Sequence, residues 1–370
     1  MKHLIALIPA NLDFESNKNK DKYYFIITFI VFGRIFDKRK DIHSFIQLYS
    51  PFLKAILSGH YSDILKELID MNIIEGGNHY RKGKKSKAYR LTDNYRTIKL
   101  KRVEITDKKI ISNYHSYKSK KNKKITETAH NYLYSCLKEI RIDYEAAIDY
   151  MNKNAESIEQ YNYGLCAIEM IHNSIWYFVT DKKAGRVHNN LTNFPKVLRP
   201  FLFFLNKRLI EIDISNSQPL LFNILINRYL LRDTSAYYYY NKESNIPYVP
   251  QHSDLRKYKE VTETGKFYEF MMEKLNIKED RDKFKVRMFT KIFYGKDKES
   301  EEMSLFKKIF PIVAKIISYY KRVNYKNLAI ELQTVEADMI INRIVPKLAK
   351  ENIFVLTIHD SILTTEENCD

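Results

Sequence analysis

Cysteine is scarce. The chain has 370 residues and three cysteines, Cys136, Cys166 and Cys369, with no CxxC spacing. That excludes a disulfide framework and a cysteine-based zinc site, and it suits a reducing compartment. Glycine and proline number nine each, too few for fibrous or low-complexity sequence. Long apolar runs are missing too. Tyr23 to Phe32 is the notable one, and it falls well short of the roughly 20 residues a membrane span needs. Asp13 and Glu15 stand where a leader peptide would need a cleavage region. The expectation is a soluble, cytoplasmic protein with no membrane partner. Acid is also in deficit: 45 Asp and Glu face 62 Lys and Arg, for a formal charge of +17.

What is present is enough apolar residue, 45%, to fill real cores, in a length that suggests two or three domains. The positive charge is local. Residues 78 to 124 hold 17 Lys and Arg against Asp93, Glu104 and Asp107. Such a stripe serves either a polyanion, most often nucleic acid, or a solvated linker.

Residues 1–98 read as a small domain. Tyr61, Ile64, Leu65, Leu68 and Ile69 form one helical face. Asn72 to Asn78 then give a helix stop, a short strand and a Gly-Gly turn. A basic segment from His79 to Lys87 leads into a strand at Ala88–Leu91. Helix, strand, basic tip, strand is a winged-helix layout, and its wing would carry Arg81, Lys82, Lys84, Lys85 and Lys87 toward nucleic acid. Residues 99–125 read as a basic linker. Residues 126–180 read as helical, with Tyr132, Leu133, Cys136, Leu137 and Ile140 as apolar positions. Residues 181–370 mix short strands with long helices.

Two acids in this last region end apolar strands. Leu209 to Ile214 alternates and carries Asp213, ahead of the polar run Ser215 to Gln218. Ile353 to Ile358 runs into His359-Asp360-Ser361, and a second apolar strand leaves, so Asp360 should sit at the tip of a tight hairpin. Either acid alone could be a turn residue. Together on one sheet, they could hold two Mg²⁺ ions, with Mn²⁺ as a substitute, which bind oxygen ligands and triphosphates.

At this point the chain resembles the family A DNA polymerases. Asp213-Ile214-Ser215-Asn216-Ser217-Gln218 resembles their motif A, in which a Glu follows the metal Asp by five positions; Gln218 stands there. His359-Asp360-Ser361 resembles motif C, His-Asp-Glu in that family and His-Asp-Ser in the related phage-type single-subunit RNA polymerases. Gln333 to Ile340 resembles the helix before motif C, with Gln333, Ala337, Asp338 and Ile340 in register. Gly185-Arg186, with Asn193-Phe194-Pro195 after it, resembles segments upstream of motif A. The four stand in the family's order across residues 181–370.

The resemblance implies an α+β chain: a small N-terminal winged-helix-like domain, a reduced helical thumb over 126–180, and a palm with an antiparallel sheet and helical fingers over 181–370. It implies a DNA polymerase that adds dNTPs to a primer 3′-hydroxyl on a primer–template, of the kind that serves phage or mobile-element replication. Asp213 and Asp360 would hold the metals. Gln218, Arg281, Lys285 and Tyr294 would contact the nucleotide, and Arg186, Gln333 and His359 the primer–template. The family's fingers Lys lies eight residues before its Tyr, whereas Lys285 lies one residue further from Tyr294. A helix bulge would restore it, and Arg287 is the rival. Gln218, being neutral, implies weaker rejection of ribose than a Glu gives. The chain ends ten residues after Asp360, where family members continue, which implies a trimmed palm or a shortened chain. Two other readings stay open: a single-subunit RNA polymerase or primase, and a non-catalytic DNA-binding replication protein with a decayed palm.

Overall fold

The computed structural model describes residues 4–37, 39–77, 86–122, 128–232, 253–296 and 298–368. The chain is mixed α and β with antiparallel pairing, and it divides into two compact units. The first comprises Met1–Phe178, Asn189–Ile210 and Thr365–Asp370; the second comprises Val179–His188 and Glu211–Thr364.

The first unit opens with β1 (Ile5–Pro9), α1 (Lys20–Ile35), β2 (Ile46–Gln47), α2 (Ser50–Leu57), α3 (Tyr61–Asp70), β3 (Ile74–Gly76) and β4 (Ala88–Leu91). It continues through α4 (Asp93–Arg96), β5 (Leu100–Glu104), α5 (Lys108–Asn122), α6 (Thr128–Glu139), β6 (Arg141–Ile142), α7 (Tyr144–Asn154) and α8 (Ile158–His172). Strands β2, β4 and β3 form an antiparallel sheet with β4 in the centre, Ile46 opposite Tyr89 and Ile74 opposite Leu91. The apolar run Tyr23 to Phe32 lies within α1, which is buried on nearly every side: Tyr23, Tyr24, Phe25, Ile26, Ile27, Ile30 and Val31 all belong to the core. A helix apolar all round is a core helix when it is this short. Among the described residues no helix is long and apolar enough to cross a membrane.

Of the expected linker over 99–125, the described residues 99–122 are instead structured. β5 pairs antiparallel with β1, Leu100 opposite Pro9 and Glu104 opposite Ile5. α5 buries Ile110 and Tyr114 in the same core. The basic residues there stand between these apolar positions, so the charge hid a strand period of two and a helical stripe. Nor does the helical segment after it stand apart: Leu165 and Cys166 of α8 belong to the core built around α1. Asn162 of α8 accepts from the Leu100 N–H (2.8 Å) and donates to the Ile98 carbonyl (3.0 Å). Segments 1–98, 99–125 and most of 126–180 thus share one compact unit.

Beyond α8 come β7 (Phe178–Thr180), β8 (Val187–Asn189), β9 (Leu202–Phe204) and β10 (Lys207–Ile212). β9 pairs with β6 and with the start of β10. Within β10 the chain enters the second unit. There follow α9 (Ser217–Arg232), α10 (Ser253–Glu263), α11 (Phe267–Lys274), α12 (Arg281–Met288), α13 (Glu301–Ile309), α14 (Pro311–Lys321), α15 (Asn327–Ala337), α16 (Val345–Lys350), and the hairpin β11 (Leu356–Ile358) to β12 (Ser361–Thr365). Among the described residues, Phe289–Phe293 and Asp338–Ile344 are π-helical. The core here is aromatic: Phe222, Tyr258, Phe267, Phe293, Phe306 and Phe310 are fully buried, with ring centroids mostly 5–6.5 Å apart at steep angles. Edge-to-face packing of this kind fixes the helices that carry the site.

Candidate active site

The residues of interest gather in the second unit. Asp213 follows the last residue of β10, where the strand gives way to the turn before α9, and the Ile214 N–H donates to its Oδ1 at 2.9 Å. Asn216 fixes that turn. It sits at φ 40, is buried, donates to the Thr262 carbonyl (2.8 Å) and accepts from the Phe267 N–H (3.2 Å). Asp360 is at the tip of the β11–β12 hairpin. Ile358 pairs with Ser361, so the loop is His359-Asp360 alone, and His359 takes the left-handed conformation (φ 57) such a loop requires. The tight hairpin with the acid at its tip is as the sequence reads.

The two carboxylates feel each other. The Asp213 carboxyl is raised above the usual range, first by burial and then by the negative charge of Asp360; the Ile214 N–H and the Lys285 ammonium oppose the rise. Ser217, at the start of α9, donates to Asp360 Oδ2. Ser361 donates to Glu211 Oε1 at 2.8 Å. An acid from β10, Glu211, therefore stands beside the hairpin.

A π-helical turn, Phe289–Phe293, follows Lys285. The Tyr294 N–H bonds to the Phe289 carbonyl at 2.7 Å, five residues back. A π-turn absorbs one extra residue in a helix, which is the bulge the resemblance would require between Lys285 and Tyr294. Gly295 ends the turn because a Cβ there would meet the Thr290 carbonyl oxygen at 2.0 Å. Lys285 is near enough to hold the Asp213 carboxyl down. The rival, Arg287, is engaged elsewhere, with Glu279 (3.0 Å) and Glu302 (3.3 Å). Arg281 is paired with Glu269 at 2.5 Å and lies 5.3 Å over the Tyr268 ring.

Tyr294 stacks on Phe289 (centroids 5.3 Å apart, 15° between planes), and its hydroxyl donates to Gln218 Oε1 at 2.9 Å. Burial pushes its phenol up to about 12, against the Arg186 charge and a hydrogen bond from Gln333. Gln218 in turn donates from Nε2 to Glu336 Oε2 at 2.6 Å, and Arg186 Nη2 reaches the same oxygen at 2.5 Å. Arg186, expected at the primer–template, is thus bound to a buried acid. It stands in the turn between β7 and β8, where Gly185 takes φ +74 and donates to the Asp181 carbonyl. The His359 ring lies 5.7 Å from that of His188.

The structure thus brings Asp213, Asp360, Gln218, Lys285, Tyr294, Arg186 and Gln333 into one neighbourhood. Arg81, Lys82, Lys84 and Lys85 lie outside the described residues, and Lys87 is exposed just before β4. Glu336 and Glu211 escaped the sequence reading. For Glu336 a signal existed: it shares a helical stripe with the buried Leu332 and Ile340, and an acid on an apolar face needs a partner.

Among the described residues no group of three or more His, Cys, Asp or Glu converges as in a closed metal site. Mg²⁺, however, is commonly held by one or two carboxylates, with water and phosphate completing its shell. Two mutually repelling carboxylates fit such an ion. Comparison of the chain with protein-family models, curated proteins and solved structures returned no match.

Proposed function

We propose that the second unit is a nucleotidyl-transfer centre of the family A polymerase type, a palm with helical fingers, acting as a DNA polymerase on a primer–template. The observation that carries this reading is that Asp213 and Asp360, each at the end of a strand, stand within reach of each other's charge, with Lys285 of α12 within reach of Asp213. Asp213 and Asp360 would hold Mg²⁺, which supplies charge stabilisation to the attacking 3′-hydroxyl and the leaving pyrophosphate. Lys285 would neutralise phosphate charge; Tyr294 and Gln218 would bound the sugar; Ser217 orients Asp360. The test is primer extension with dNTPs and NTPs in parallel, with Mg²⁺, with Mn²⁺ and with neither. Extension with dNTPs that needs a divalent ion supports the reading. Extension confined to NTPs would favour the RNA polymerase or primase alternative, and none at all the non-catalytic one.

Lys285 and Arg287 separate cleanly. Lys285→Ala should raise KM for the nucleotide ten- to a hundredfold, the worth of about one charge-assisted hydrogen bond. Arg287→Ala should leave KM near its original value, since that guanidinium serves Glu279 and Glu302. The reverse outcome in steady-state kinetics would hand the phosphate role to Arg287.

The first unit we read as carrying a winged helix. The order α1, β2, α2, α3, β3, β4, with β4 central in the sheet, supports that reading. Its α3 bears Asp63, Glu67 and Asp70 against a lone Lys66, so this helix is poorly suited to a DNA groove. The basic segment of sequence between β3 and β4 is the better candidate for the grip. Replacing Lys82, Lys84, Lys85 and Lys87 by Ala should weaken duplex binding and lower the log–log salt slope by about 0.9 for each phosphate no longer neutralised. An unchanged slope in a binding titration would mean that this segment does not touch phosphate.

A further inference from the structure

Glutamine at position 218 has two chemically different ends. Left free, its amide can turn over and offer either an acceptor oxygen or a donor NH₂ to a sugar. Here both ends are engaged, by Tyr294 at Oε1 (2.9 Å) and by Glu336 at Nε2 (2.6 Å). The charge on Glu336 makes this orientation the only sound one. A phenol hydroxyl tolerates either end of the amide, but a carboxylate repels the carbonyl oxygen and accepts only from the NH₂. Glu336 is itself fixed: it is 1% exposed and held by Arg186. Its second oxygen, Oε1, is buried without a hydrogen-bond partner, so Gln218 and Arg186 are both held by Oε2.

We propose that Glu336 is a positioning residue for sugar selection: its carboxylate locks Gln218 into a rigid wall, so that discrimination against ribose depends on one carboxylate facing one amide across positions 218 and 336 rather than on residue 218 alone. The proposal rests on the polymerase reading above. It reverses what the motif alone implies, namely that Gln218 is a weak gate that a Glu would sharpen. Gln218→Glu would instead bring two carboxylates into the 2.6 Å contact and disorder the wall.

The experiment is the ratio of kcat/KM for dNTP to that for NTP, on one primer–template with Mg²⁺, in the full chain. Glu336→Gln and Gln218→Glu should each lower the ratio about tenfold or more, as removal of one net hydrogen bond allows. The double swap, Gln218→Glu with Glu336→Gln, keeps the pair and its charge with the order exchanged, and should restore most of it. In a Gln218→Ala background, Glu336→Gln should change the ratio no further. Melting curves accompany each protein; should a single variant fail to fold, the swap and the Gln218→Ala pair still decide. A wild-type ratio in folded Glu336→Gln, or a swap that merely adds the two single effects, overturns the proposal and leaves the polymerase reading standing. A wild-type protein that extends a primer with neither nucleotide overturns both.

Discussion

Asn in place of Asp213 or of Asp360 is expected to lower primer extension by about three orders of magnitude and to leave the melting transition no lower than before. The catalytic loss follows from the role of the pair. Metal-held charge at a phosphoryl oxygen contributes several kcal/mol at the transition state, and each 1.4 kcal/mol is a factor of about ten. Asn keeps the shape and one acceptor but cannot neutralise a cation. The stability half follows from the raised Asp213 carboxyl, which burial and the charge of Asp360 disfavour in its ionised form. An acid whose folded pKa is raised costs stability once ionised, and that cost is relieved as pH falls through the raised value. Removing the charge relieves it at every pH. The same shift means that acid should begin to reduce metal binding at a higher pH than an ordinary Asp would allow. Near-normal turnover in either variant, with normal melting, would remove both residues from the chemistry.

How much of this was legible beforehand depends on the kind of information each element carries. The β11–β12 hairpin was readable because two apolar strands flank a two-residue polar tip, and a two-residue loop is a local decision of the backbone. The ending of β10 at Asp213 was readable by its alternation. The π-turn was expected only as the bulge that the resemblance would require between Lys285 and Tyr294; that Gly295 ends it, where a Cβ would meet the Thr290 carbonyl, is a close approach no sequence pattern announces. The stretch 99–125 was misread because composition outweighed period. Lys and Arg dominate the count there, yet Leu100, Ile110 and Tyr114 are the residues that bury. The pairing of β1 with β5 joins residues nearly a hundred apart in sequence, and no local pattern announces such a partner. The same holds for Glu336: its helix was recognised, but its partners Arg186 and Gln218 come from a turn and a helix far upstream. Long-range polar pairs are set by tertiary approach, which a one-dimensional period does not encode.

Arg186→Ala tests that tertiary pairing most severely. The Arg186 side chain is 17% exposed and that of Glu336 1%, with 2.5 Å between Nη2 and Oε2. Removing one member of a buried pair strands the other and costs about 3–5 kcal/mol, a large part of the roughly 5–15 kcal/mol by which a domain is stable. For the 164 residues of the second unit, a melting point lower by roughly 10 °C is expected. The pH dependence separates this cause from weakened packing. Burial already raises the Glu336 carboxyl above its ordinary 4.5, and Arg186 is the first influence opposing that rise. Without Arg186 the folded-state pKa climbs further, while that of the unfolded chain does not change. The folded protein then takes up a proton more readily than the unfolded one, so its stability grows as pH falls through the raised value and stops growing near 4.5. The gap between wild type and Arg186→Ala should therefore be widest at neutral pH and narrow steadily on acidification, in denaturant titrations from about pH 8 to about pH 5. Adding Glu336→Gln to Arg186→Ala should remove most of that pH dependence, because no buried charge is left unpaired. A gap that stays constant with pH would mean that Arg186 acts through the packing of its aliphatic stem, and Glu336 would then have to be neutral in the folded protein.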